Sequence, residues 1–139
     1  MRKRISWGVL LFLVVVIFAG CSTGGNDKEL IQKTLEGYFA ALNVPDEAKA
    51  YEYVLPESAA AGWLDMFFAE KVPFAAEQGV KYEYTFTIQE ITISAGGGEA
   101  AVKLTYTFRL LGSQGGLSAP KFEETFSLSR QGRTWRISV

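Results

Sequence analysis

From Val80 to the end of the chain the apolar residues recur at every second position, and that period restricts the second half to β-strands with one buried face. Val80, Tyr82, Tyr84, Phe86 and Ile88 alternate with Lys81, Glu83, Thr85 and Thr87. After Gln89-Glu90 the phase slips, and Ile91 and Ile93 take over the apolar positions. A one-residue slip within a strand is what a bulge produces, and bulges bend sheets. Gly96-Gly97-Gly98 marks a hairpin turn. The next strand places Val102, Leu104, Tyr106, Phe108 and Leu110 on one face, with Lys103, Thr105, Thr107 and Arg109 opposite. A longer loop follows from Gly112 to Pro120. Phe122, Phe126 and Leu128 then share a face, and after Gln131-Gly132 a last strand points Trp135, Ile137 and Val139 inward.

The first half has the helical period instead. Asn26 or Asp27 is placed to cap a helix, with Glu29 near its positive end. Ile31, Leu35, Tyr38 and Leu42 recur at helical spacing, flanked by Leu30 and Phe39, and Asn43 and Pro45 close the segment. Pro45 suits the first turn of a second helix, Asp46 to about Val54, which would bury Ala48, Tyr51 and Leu55. Pro56-Glu57-Ser58 interrupts the chain. A third segment, Ala59 to about Glu70, carries Trp63, Leu64, Met66, Phe67 and Phe68 and is apolar on more than one side. That requires deep burial, or a face covering something other than the chain's own core. The expected class is α+β, three N-terminal helices packed on a curved four-stranded antiparallel sheet.

The N-terminus carries targeting information. Arg2, Lys3 and Arg4 precede Ile5 to Gly20, a run without charge, which is the pattern of a secretory signal. The run is about sixteen residues, short of the ~20 that a helix needs to cross the hydrocarbon core, so an uncleaved span of a thinned bilayer is the lesser alternative. Cys21 is the sole cysteine and follows Ile17-Phe18-Ala19-Gly20. This stretch resembles the lipobox of bacterial lipoproteins, with Phe18 in place of the usual leucine. The resemblance implies that the thiol receives a diacylglycerol, that the signal is cut before it, and that the new amino terminus is acylated. A lone buried thiol is the plainer reading of a single cysteine. The segments are then a signal peptide (1–20), a lipidated cysteine and polar tether (21–26), and one α+β domain (27–139). The location would be the cell membrane, lipid-anchored, facing outside the cytoplasm.

Without the cationic head the chain carries eleven basic and fifteen acidic residues. That balance argues against nucleic acid, which selects basic patches, and against electrostatic adhesion to anionic lipid. The absence of histidine removes the commonest general base and a common metal ligand, and a single cysteine leaves no thiol cluster for zinc. No metal or cofactor is expected. Gly112-Ser113-Gln114-Gly115-Gly116 lacks the lysine and following hydroxyl of a phosphate-binding loop, and it joins two strands instead of opening a helix.

The stretches "YFAALNVPDEAKAYEYVLPE" and "GRTWRISV", with the order helix, short helix, helix and long curved sheet, resemble the nuclear transport factor 2-like (SnoaL-like) superfamily over about residues 27–139. A cystatin-like domain shares the helix on a curved sheet. The resemblance implies a pocket between the concave sheet face and the helices, lined from Tyr38, Trp63, Phe67, Tyr84, Tyr106 and Phe126. Plain core packing is the competing account of those aromatics, although buried tyrosine hydroxyls need partners. The superfamily includes isomerases, dehydratases and cyclases that use an Asp or Glu base. By strict alternation Glu124 shares the face of Phe122, Phe126 and Leu128, where a carboxylate would be desolvated. Near a strand start it would instead reach solvent, the reading that the rarity of buried charge favours. Asp65 is a second candidate, turned outward by helical spacing. Three readings follow: a non-catalytic ligand- or partner-binding module, an envelope scaffold domain of a secretion or conjugation machine, and a small-molecule isomerase or lyase. The partner would be the membrane through the lipid anchor and an unnamed protein or small molecule, with a homodimer through the sheet face as the oligomer such a sheet allows. An open pocket with Glu124 or Asp65 facing a tyrosine favours the enzyme. A filled core with an exposed apolar patch favours a protein partner.

Overall fold

The apolar stripe of the first helix supplies one side of the core. A computed structural model describes residues 23–112 and 120–139; the expected signal, Cys21 and most of the glycine-rich loop lie outside the described residues. Helix α1, Thr23–Asn43, buries Ile31, Leu35, Tyr38, Phe39 and Leu42, the residues that its spacing puts on one side. It begins before Asn26, so residues 23–26, expected as tether, form its first turn, and Asp27 is not its cap. The Asp27 carboxylate instead accepts from the Trp135 indole at 3.4 Å and lies 3.6 Å from Arg130. The Thr34 hydroxyl is shared between the carbonyls of Leu30 (3.0 Å) and Trp135 (3.2 Å), which ties the helix to the last strand.

Helix α2 is Glu47–Tyr51, shorter than its pattern suggested, with Asp46 capping it by accepting from the Lys49 amide. It buries Ala50 and leaves Ala48 exposed. The third segment is capped by Ser58 and opens as α3, Ala59–Met66. It passes through a π-turn, Phe67–Lys71, and continues as α4, Val72–Glu77, past the expected end at Glu70. Pro73 explains the π-turn. A proline donates no hydrogen bond and its ring clashes with the carbonyl four residues back, so an α-helix would kink there. The widened turn, with the Val72 amide reaching the Phe67 carbonyl, carries the helix across the proline.

The sheet is the meander β1-β2-β3-β4, all antiparallel: β1 Lys81–Ile93, β2 Glu99–Leu111, β3 Lys121–Gln131 and β4 Thr134–Ile137. The β1–β2 register shifts between Ile88 and Glu90, where the apolar phase slips, and the sheet bends around α1. Gly97 (φ 71°) and Gly132 (φ 64°) occupy left-handed turn positions where a side chain would be strained. Inward residues pair across strands as Tyr84 with Phe108, Phe86 with Tyr106, Val102 with Phe126 and Leu128 with Ile137.

Both outer strands are engaged by polar groups from the helical half. The Asn43 side chain accepts from the Tyr84 amide at 2.6 Å and donates to the Tyr84 carbonyl at 3.0 Å, extending the ladder beyond β1 by one amide. On the other side, the Ile137 amide donates to the Tyr53 carbonyl and its carbonyl accepts from the Leu55 amide, both at 2.8 Å. Unpaired sheet edges invite pairing with other chains, and these contacts occupy part of each.

Candidate functional site

Curvature keeps the concave face from closing fully on the helices, and a cavity of about 230 Å³ remains between them. The sheet contributes Tyr84, Tyr106, Glu124 and Phe126. Helix α1 contributes Tyr38, Phe39 and Leu42, and α3 contributes Ala59, Ala60 and Trp63, while Ile137 and Val139 complete one wall. Six of the seven residues expected at a pocket therefore meet around one void. Phe67 does not. It lies behind the wall, 0 % exposed and stacked on Trp63 with centroids 5.0 Å apart. It follows Trp63 by four residues on the same helical face, one turn deeper in the core. Phe39 and Ile137 were legible as apolar positions facing inward, whereas Val139, expected inward, lies past the end of β4 and is 63 % exposed at the cavity's edge. Ala59 and Ala60 carried no signal, because their contribution is the space their small side chains leave.

Aromatic packing fixes the walls. Phe39 stacks on Phe86 (4.6 Å) and Phe126 (6.0 Å), and Tyr38 meets Phe126 edge-on at 6.4 Å. Trp63 is 37 % exposed, with one face against Phe67. Burial, reinforced by neighbouring Tyr84, Tyr106 and Glu124, raises the Tyr38 hydroxyl well above its ordinary pKa of 10.0. Burial, then Tyr82 and Tyr106, does the same to Tyr84, and burial followed by the adjacent Glu124 raises Tyr106. A phenolate in these places would lose hydration and face other negative groups, so all three phenols stay protonated through neutral pH.

The sign of the pH effect follows. A phenol whose native pKa is raised stabilises the fold fully below the unfolded value of 10.0, and that stabilisation is lost as pH climbs above it. In an alkaline titration the phenolate absorbance of Tyr38 and Tyr84 is expected to appear only together with the loss of the near-ultraviolet tryptophan signal. Tyr38→Phe should make the fold less sensitive to alkali. Ionisation of all tyrosines before unfolding would contradict the burial of these two.

Glu124 sits on the concave side opposite Leu104, exposed at the cavity's rim beside Tyr106. It reaches solvent, as the rarity of buried charge suggests, and still borders the void. Asp65 is outside the cavity. On the other side of α3 it accepts a hydrogen bond from Tyr51, whose hydroxyl that bond pushes up to about 12. Among the described residues no group of three or more His, Cys, Asp or Glu could hold a metal ion. Chemically the cavity offers phenol donors, aromatic faces and one carboxylate, which serves as a hydrogen-bond acceptor or as a base. An open void bordered by Glu124 and Tyr106 is the arrangement expected to favour the isomerase or lyase reading over a protein-partner surface. Met66 (38 %) and Phe74 (52 %) are exposed, giving the third helical segment the second apolar side read from its sequence.

No family model and no curated protein matches the chain. Solved structures do. Aln2 from a Streptomyces species superposes with a TM-score of 0.65 at 12 % identity, over 78 % of this chain and 83 % of that one. A protein from Catenulispora acidiphila, solved in complex with S-DNPA, gives 0.62 at 11 %, over 80 % and 87 %. A ketosteroid isomerase-like protein from Erwinia carotovora atroseptica gives 0.56 at 13 %, over 79 % and 89 %. What they share with this chain is the fold. It is the α+β cone of nuclear transport factor 2-like and cystatin-like domains, and identities this low carry nothing further.

Proposed function

We propose that the chain is a lipid-anchored module of the bacterial cell envelope whose cone holds a small, largely apolar molecule without transforming it. The observation that carries the binding reading is the cavity itself, walled by aromatic and aliphatic side chains with a few polar groups converging on it. Ligand sites have that composition. At about 230 Å³ it falls below the ~300–1,000 Å³ of drug-sized sites, which favours a molecule of one or two rings. The anchoring reading rests on the basic head, the short apolar run and Cys21. The solvent-exposed setting of Glu124 and the absence of any histidine to share proton transfer support binding without chemistry. One observation favours a second reading, isomerase or lyase activity with Glu124 as base: its contact with Tyr106, which would supply a phenol donor to a developing oxyanion. The ketosteroid isomerase-like neighbour fits that reading in name.

Calorimetric titration of the full-length chain in detergent with 2-naphthol, against a detergent blank, tests the binding reading. One saturable site is expected. Ala60→Leu, which pushes a larger side chain from a buried wall position into the void, should weaken it by at least about tenfold, about 1.4 kcal/mol. No saturable heat in the native chain, or full binding in the filled variant, would remove the cavity from the function.

A further inference from the structure

The charge around the cavity is one-sided. Among the described residues lining it, Glu124 is the only ionised side chain, and neither lysine nor arginine is present. Residues 113–119, outside the described residues, contain no charged amino acid either. Glu124 is also without a counter-charge: none of the five ion pairs found among the described residues uses it. Its neighbour Glu123, on the opposite face of the same strand, is paired with Lys103 at 2.9 Å. Across β2 the residue facing Glu124 is Leu104. The rest of the wall is aromatic, from Tyr38, Trp63, Tyr84, Tyr106 and Phe126. Aromatic rings present a negative face to whatever lies over them, and cations seated there are attracted to it. An anionic guest would meet one carboxylate, several π faces and no counter-charge. A cationic guest would meet a carboxylate and rings.

We infer that this cavity is built for a monocation, an organic ammonium carrying a small aromatic or alkyl body, with the body between Trp63 and Phe126 and the charge toward Glu124. The inference rests on the small-molecule reading above and narrows it to a ligand class. The ammonium would be held by charge attraction to Glu124 and by the faces of Tyr106 and Tyr38, as quaternary ammonium groups are held in aromatic cages. Tyr106 and Glu124 both line the cavity, so a cation seated there meets phenol and carboxylate together.

Three single-ring probes of nearly equal size test this on the full-length chain in detergent: benzyltrimethylammonium, its uncharged carbon isostere neopentylbenzene, and benzenesulfonate. The cation is expected to bind at least about tenfold more tightly than the isostere, and the anion to show no saturable binding. Glu124→Gln, at a solvent-exposed position that tolerates the change, should bring the cation's affinity down to that of the isostere. If the isostere equals or outbinds the cation while 2-naphthol still binds, the ligand class is wrong and the binding reading stands. If none of these probes binds, both are wrong. A preference for the cation that persists undiminished in Glu124→Gln would overturn the assignment of the charge to this carboxylate.

Discussion

Phe67→Ala is expected to destabilise the fold by about 3–5 kcal/mol. The ring is fully buried and sits between Trp63 (5.0 Å), Phe68 (5.2 Å), Tyr82 (5.8 Å) and Tyr84 (6.1 Å). Truncation removes most of the side chain from a place that cannot collapse. The sheet stands on one side, and on the other the backbone is held in the π-turn that Pro73 requires. Phe67 also borders a second void of about 150 Å³ with Val72, Ala75, Val80 and Tyr82, so its loss would enlarge an existing gap. The cost of a large-to-small change grows with the cavity it leaves. Trp63→Ala is expected to cost less, because Trp63 is already 37 % exposed. Paired denaturant unfolding curves with a common slope check this. A Phe67→Ala cost below about 1 kcal/mol, or below that of Trp63→Ala, would mean that Phe67 is not the fixed backing of the cavity wall.

The contrast between those two aromatics shows where the sequence stops being legible. Trp63 and Phe67 stand four residues apart in one apolar run and share a helical face, so spacing alone cannot tell the residue at the cavity's rim from the one buried behind it. The strands are different. Their period of two assigns each residue to a face whatever the neighbouring elements do, so Tyr84, Tyr106, Glu124 and Phe126 could be placed together, and the slip near Gln89 located the bulge. The same alternation marks a filled core and the wall of a void. Whether space remains depends on how far the sheet bends from α1 and on how small Ala59 and Ala60 are, neither of which is periodic. Long-range polar partners were equally invisible. Asn43 reads as the end of a helix, yet its amide pairs with the backbone of Tyr84 forty-one positions away. Asp27 reads as a cap, yet it meets Trp135 and Arg130 at the far end of the chain. Each of these side chains could satisfy a local need, and only the packed fold decides between the local and the distant partner.

Cys21→Ser is expected to leave the chain as an uncleaved precursor that retains Met1–Gly20 and carries no acyl group. The apolar run before Cys21 is about sixteen residues, too short for an unstrained span, and among the described residues no helix is long and apolar enough to cross a membrane. A stable attachment would therefore fall to the cysteine. A single acyl chain binds a bilayer only marginally, whereas two or three chains, at ~0.8 kcal/mol per buried methylene, hold it firmly. Helix α1 starts at Thr23, two positions after Cys21, so the proposed anchor would hold the cone close to the bilayer surface without a long tether. Intact mass and detergent partitioning of the chain expressed in a bacterium with its own signal decide the matter. The native chain should be recovered in the detergent phase at the mass of residues 21–139 plus acyl chains, and the serine variant at the mass of the whole chain. Ordinary processing of the serine variant would sink the lipoprotein reading. A native chain that keeps Met1–Gly20 would instead be held by an uncleaved segment, and the scaffold of an envelope machine would then become the stronger account of where the cone works.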